Sequence, residues 1–190
     1  MLEVSRRMNI VFLHEGITRS LVPLLTLIEH HPDCVVGCIL MRNQRVNKEP
    51  APEWFGDIFS SNDTALALLD GVKEGKVAGS MSAFLVIREP NSFLQLSVLA
   101  AINCFNFNSS GEGGKGGKKL LEVLTKQNIR TSLSKAKLPL CEAKFPFFSY
   151  SSKSFSEKNE LIKAVFEEEF GILAKQWLPE SWGLESVSYY

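Results

Sequence analysis

The residues with the clearest capacity for chemistry are the glycines between Asn108 and Lys119. Gly111-x-Gly113-x-x-Gly116 has the dinucleotide-binding spacing, follows a strand-like apolar run and precedes a helical pattern opened by Lys118 and Lys119. Loops of this kind bring backbone N–H groups and a helix N-terminus against a phosphate. The same stretch fails as a P-loop, because Glu112 stands five positions before Gly117 and Lys119 stands where Ser or Thr should meet magnesium. The acidic residue that a dinucleotide site needs about twenty residues further on, in a second strand, is also missing. Gly, Lys and Ser together describe a solvated linker equally well. The segment is therefore read as a linker, with a phosphate cradle at Gly111, Gly113 and Gly116, and hence nucleotide binding, as the alternative.

A second anion site is suggested by Gly16 to Ser20. Thr18 or Ser20 can cap the helical pattern Leu21 to His30, and free N–H groups at such a terminus attract anions. Arg19 would add a charge-assisted donor. Plain capping accounts for the same residues. His30, His31, Asp33 and Cys34 include metal-ligand types, but they fall at a helix-to-strand turn, the wrong edge of a sheet for a ligand, and no metal site is assigned.

These groups need a scaffold, and the apolar pattern supplies one. Asn9 to Leu13, Cys34 to Met41, Met81 to Ile87 and Leu99 to Phe107 read as buried strands. The last of them mixes apolar and polar residues without clean alternation. Helices are expected over Leu21 to His30, around Leu66 to Val72 (capped by Asn62 or Asp63), as a short turn through Leu94 and Leu96, and over Lys118 to Lys126. Ile129 to Leu133 and Leu140 to Phe148 look like further strands. Ser154 with Glu157 opens a final helix whose stripe, Leu161, Ile162, Val165, Phe166, Phe170, Leu173 and Trp177, is read as core packing. The expected fold is α/β, a doubly wound, mostly parallel sheet with helices on both faces and the last strands antiparallel at most. Residues 1–7 read as a leader, 8–178 as one domain and 179–190 as a tail.

Composition agrees with one soluble globular domain: 190 residues, 45% hydrophobic and 22% charged. Lys plus Arg equals Asp plus Glu at 21 each, so no global field favours nucleic acid or an anionic membrane. No transmembrane or signal segment is evident, and membrane insertion is not expected. Cys34, Cys38, Cys104 and Cys141 show no paired framework and read as reduced thiols of a cytoplasmic protein.

Several segments, in order, resemble one family. MNIVFLHEGITRSLVPLL followed by VVGCILM resembles the opening of the folate-dependent formyltransferases, in particular the phosphoribosylglycinamide formyltransferase group. REPNSFLQLSVLAAINCFNFNSS resembles the approach to that family's Ile-Asn-x-His-x-Ser motif, and LCEAKFPF the strand after its catalytic aspartate. The closing helix through Phe170, Gly171, Ile172 and Leu173 matches its last packed helix. The resemblance spans most of Met8 to Leu178 and implies the family's Rossmann-like fold. It places substrate phosphate at Thr18, Arg19 and Ser20.

The resemblance also implies formyl transfer from tetrahydrofolate to an amine, with Asn103 holding the oxyanion. Phe105 stands where the motif's His belongs and can neither donate to an oxyanion nor carry a proton. Ser134 or Lys135 stands where the carboxylate belongs, and no Asp or His occurs anywhere after Asp70. The family's Leu-rich segment after the His is replaced by GEGGKGG. The expectation is a catalytically impaired formyltransferase-fold protein that needs no cofactor and works as a binding or adaptor subunit. Its protein partner would dock through the aromatic segments Phe145 to Phe155 and Trp177 to Tyr190. The alternative is active formyl transfer from a reduced folate, formyl-tetrahydrofolate. His14, at the carboxyl end of the first strand, would then be recruited with Glu15, Glu112 or Glu142 as a relocated acid–base pair beside Asn103.

Overall fold

The computed structural model describes residues 8–13, 19–44, 64–77, 79–88, 96–107 and 111–139, with Ala164, Phe166 and Phe170. In chain order the elements are β1 (Met8–Leu13), α1 (Leu21–His30), a 3-10 turn (Pro32–Cys34), β2 (Val35–Gln44), α2 (Thr64–Lys73), β3 (Ser80–Arg88), β4 (Leu96–Asn106), α3 (Glu112–Lys126) and β5 (Thr131–Pro139). The fold is α/β, built on an open five-stranded sheet of order β1-β4-β3-β2-β5.

The sheet is mixed. β1 pairs with β4 and β2 with β5 in parallel, whereas β3 runs antiparallel to both β2 and β4. Those pairings send β1, β4, β2 and β5 in one direction and reverse β3, the central strand. The antiparallel element is thus in the middle, not among the last strands. The cause lies in a connection: only residues 89–95 separate β3 from β4. A parallel neighbour needs a crossover of a dozen residues or more, about twice that length.

Burial explains why these segments are strands. Met81 to Val86 are buried in succession, as a central strand covered on both faces requires. On one face Cys38, Leu40, Ala83, Leu85 and Ala101 meet Leu21, Leu24 and Ile28 of α1, Leu68 of α2, and Leu120, Leu121 and Leu124 of α3. On the other, Ile39, Met41, Phe84, Val86, Val98 and Ala100 pack with Phe166 and Phe170, both helical. Phe166 stacks on Phe84 with ring centroids 4.8 Å apart and on Phe170 at 5.6 Å. These two members of the C-terminal stripe are core residues, as expected; the other residues of the stripe, the strand expected at 140–148 and the aromatic segments lie outside the described residues.

The main departure concerns the glycine-rich stretch. It is not a linker. α3 begins at Glu112, with Gly111 as its N-cap residue, so Gly113 to Gly117 form the helix's first turns. Gly114 and Gly117 continue the buried face of Leu120, Leu121 and Leu124. A Cβ on Gly117 would lie 2.7 Å from Phe107 Cε1 and 2.8 Å from Phe105 Cδ2, and one on Gly116 would lie 3.0 Å from Leu21 Cδ1. The glycines let the helix backbone settle onto β4 and α1, a demand that helix propensity opposes and packing overrides. Leu96, expected in a helical turn, is already in β4. α1 has the expected bounds, and Gly75 ends α2 beyond Lys73 at a φ of 71°, where a residue with a Cβ would be strained.

Candidate functional site

Because four strands run together, β1, β4, β2 and β5 all end at one edge of the sheet, where β3 begins. Ligands of α/β proteins collect at such a carboxyl edge. β4 is irregular as it arrives there. Met81 pairs with Phe105 and Ala83 with Ala101, so Ser82 alone faces residues 102–104. This bulge breaks the alternation of side chains and lets the neighbours Cys104 and Phe105 both enter the helix-covered core. It also explains the mixed polar and apolar pattern of the β4 sequence.

Asn103 sits in the bulge with a φ of 50°, exposed at the edge. Left-handed backbone is uncommon outside glycine, and Asn is among the residues that tolerate it best. Three polar side chains hold it. Ser82 Oγ accepts the Asn103 backbone N–H at 2.8 Å, and Asn103 Oδ1 accepts from Ser80 Oγ and, at 3.2 Å, from Asn43 Nδ2. Asn43 Nδ2 also donates to Ser80 Oγ at 2.9 Å, and Ser82 Oγ donates to Asn43 Oδ1 at 2.7 Å. Ser82 is fully buried and Asn43 nearly so. Next to Asn43, Arg42 is partly buried, and burial lowers its guanidinium pKa from the usual value.

Asn43, Ser80 and Ser82 were not among the residues singled out by sequence. A signal existed: Ser80 and Ser82 share the period-two face of Phe84 and Val86, and Asn43 that of Ile39 and Met41. Along this face apolar residues give way to polar ones toward the carboxyl edge.

The sequence-derived candidates fare differently. Phe105, which the resemblance sets at its motif's His position, is fully buried against Phe107, ring centroids 5.0 Å apart, and has no exposed surface. Ser20 occupies the N-cap position of α1 as expected but makes no side-chain cap bond; its buried hydroxyl donates back to the Leu13 carbonyl at 3.2 Å, tying the helix start to the end of β1. Arg19 is exposed at that turn. Gly111 is the N-cap residue of α3, and Gly116 lies inside the helix against Leu21. Lys119 is paired with Glu29 of α1 at 3.1 Å. Ser134 is buried in β5. His14, Thr18, Glu15 and Glu142 lie outside the described residues.

His30, His31, Asp33 and Cys34 lie where α1 meets β2, at the amino edge. Among the described residues no three His, Cys, Asp or Glu side chains gather as metal ligands, and no helix is long and apolar enough to cross a membrane.

The thiols differ in environment. Cys34 is partly exposed, whereas Cys38 and Cys104 are buried, and all three are unpaired. Burial pushes the Cys38 thiol up to about 12 and raises that of Cys104 as well. Unfolded thiols ionise near ~8.5, so above that pH the folded chain holds more protons than the unfolded one. Stability is therefore fully present below pH ~8.5 and falls as pH rises toward the folded values. Urea midpoints measured across that range should decline, and a Cys38→Ala, Cys104→Ala double variant should flatten the decline. A thiol reagent at neutral pH should label Cys34 quickly and Cys38 and Cys104 only on unfolding.

No protein-family model, curated protein or solved structure matches this chain.

Proposed function

We propose that this chain is a catalytically impaired formyltransferase-fold protein that acts by binding, as an adaptor or subunit of a protein complex. The observation that carries the reading is the position of Phe105. The side chain two residues after Asn103, where the resembled family keeps its proton-carrying imidazole, is an aromatic ring sealed in the core. Ser134, at one of the two positions aligned with the family's carboxylate, is a buried hydroxyl. The ring carries no proton, and the hydroxyl supplies neither the negative charge nor the base of a carboxylate at neutral pH. The doubly wound, formyltransferase-like form of the sheet, the cytoplasmic setting and docking through residues 145–155 and 177–190 belong to the same proposal. Its test is purification of the tagged full chain from its native cell extract, followed by deletion of residues 179–190. A stoichiometric protein partner that is lost on deletion supports the reading. A chain that elutes alone and transfers formyl groups overturns it.

The second reading, active transfer from a reduced folate, is favoured by Asn103. Its left-handed backbone sits in a bulge at the carboxyl edge, and bulges are over-represented beside active sites, where they re-aim a side chain. A ligand that binds only the native state raises its apparent stability. A rise in melting temperature with a formyl-tetrahydrofolate analogue, abolished by Asn103→Ala, supports this reading; the absence of any shift counts against it.

A further inference from the structure

The two ends of a carboxamide can be told apart when a neighbour has a fixed hydrogen-bonding sense. At the carboxyl edge that neighbour is a backbone group. The Asn103 N–H can only donate, and it donates to Ser82 Oγ. Ser82 is fully buried, so its own proton needs an acceptor within the protein, and it goes to Asn43 Oδ1. Asn43 must then direct its Nδ2 the other way, to Ser80 Oγ and Asn103 Oδ1. Ser80, having accepted from Asn43, gives its proton to Asn103 Oδ1 as well. Every hydrogen bond in the cluster has one consistent sense, and the last group, Asn103 Nδ2, is left as a donor on an exposed residue.

We propose that Ser82 and Asn43 are positioning residues that lock the Asn103 carboxamide with its N–H groups outward, so that this edge takes a ligand through an acceptor oxygen, a carbonyl or carboxylate. A ligand presenting a donor there would face N–H groups that cannot rotate away without breaking the two hydrogen bonds that Asn103 Oδ1 accepts from Ser80 and Asn43. The relay is a property of the free protein. Only the choice of ligand rests on reading the edge as a binding site.

The test is side-chain amide exchange in the ¹⁵N-labelled full chain. In the wild type the Asn43 amide protons should exchange at least ~tenfold more slowly than those of Asn103, since one set is buried and bonded and the other faces water. Equal or reversed rates overturn the relay. Asn43→Asp replaces the inward donor by a carboxylate of the same shape, so the Asn103 carboxamide should turn over and its amide protons should become slow. A folded Asn43→Asp protein with an unchanged Asn103 amide signal overturns the relay. If that variant does not fold, Ser82→Ala serves: the Asn103 backbone N–H should lose its protection, and retained protection overturns the relay. Formate is the ligand probe. Its addition should shift the wild-type Asn103 amide signal. No shift, with the exchange order intact, overturns the acceptor-oxygen assignment and the binding reading beneath it while leaving the relay in place.

Discussion

Replacing Phe105 by histidine, the residue that the resembled motif carries two positions after its asparagine, is expected to lower stability by ~3–5 kcal/mol without producing formyl transfer. Phe105 is fully buried and edges onto Phe107 while lying beneath Gly117. An imidazole there gives up aromatic packing and brings polar nitrogens into a site built from Leu, Ala and Phe. The pH dependence follows from burial. Desolvation lowers the pKa of the introduced imidazole below its unfolded value of ~6.5, so the unfolded chain binds the extra proton first. The variant's stability should therefore fall further as pH drops through ~6.5, whereas the wild type should show no such added loss there. Urea denaturation of both proteins across that range measures the effect. A Phe105→His protein as stable as wild type would place residue 105 at an open site instead.

Gly117→Val is expected to destabilise by ~2–4 kcal/mol, and Gly117→Ala by ~1–2, although both remove a poor helix former from α3. The gain in helix propensity is at most ~1 kcal/mol. Against it, the first added carbon would stand 2.7 Å from Phe107 and 2.8 Å from Phe105, and the latter ring has no free side to move into. Gly116 provides the control on the same helix. Its added carbon would meet the tip of Leu21 at 3.0 Å, which can give way, so Gly116→Ala should fall within ~1 kcal/mol of wild type. Thermal melts of the three variants should rank them in that order. Equal, negligible effects at both glycines would mean that the stretch is the solvated linker its composition suggests.

The glycine stretch is where local pattern and tertiary structure part most clearly. Five glycines between Gly111 and Gly117 read as loop because glycine is a costly helix residue. What makes them helical is the bulk of Phe105 and Phe107 on β4, a tertiary partner that local pattern does not reveal. The strands were legible because buried strands are nearly continuous apolar runs: β1 and β3 fall within a residue of the expected spans. The direction of β3 lies outside that reading, which expects antiparallel strands only at the end of the chain; the short link to β4 decides it. The site was half legible. Asn103 was singled out by resemblance, but its left-handed backbone and its partners Asn43, Ser80 and Ser82 depend on a bulge that brings three strands together. The N-cap position of Ser20 is legible because hydroxyls favour it, but the bond from its hydroxyl to Leu13 depends on where β1 ends.

The decisive measurement is formyl transfer from formyl-tetrahydrofolate to an amine acceptor, made with the purified full chain. With residue 105 sealed in the core, the expected rate equals that of the reaction without protein, in the wild type and in Asn103→Ala alike. Turnover above that background that disappears in Asn103→Ala would contradict it.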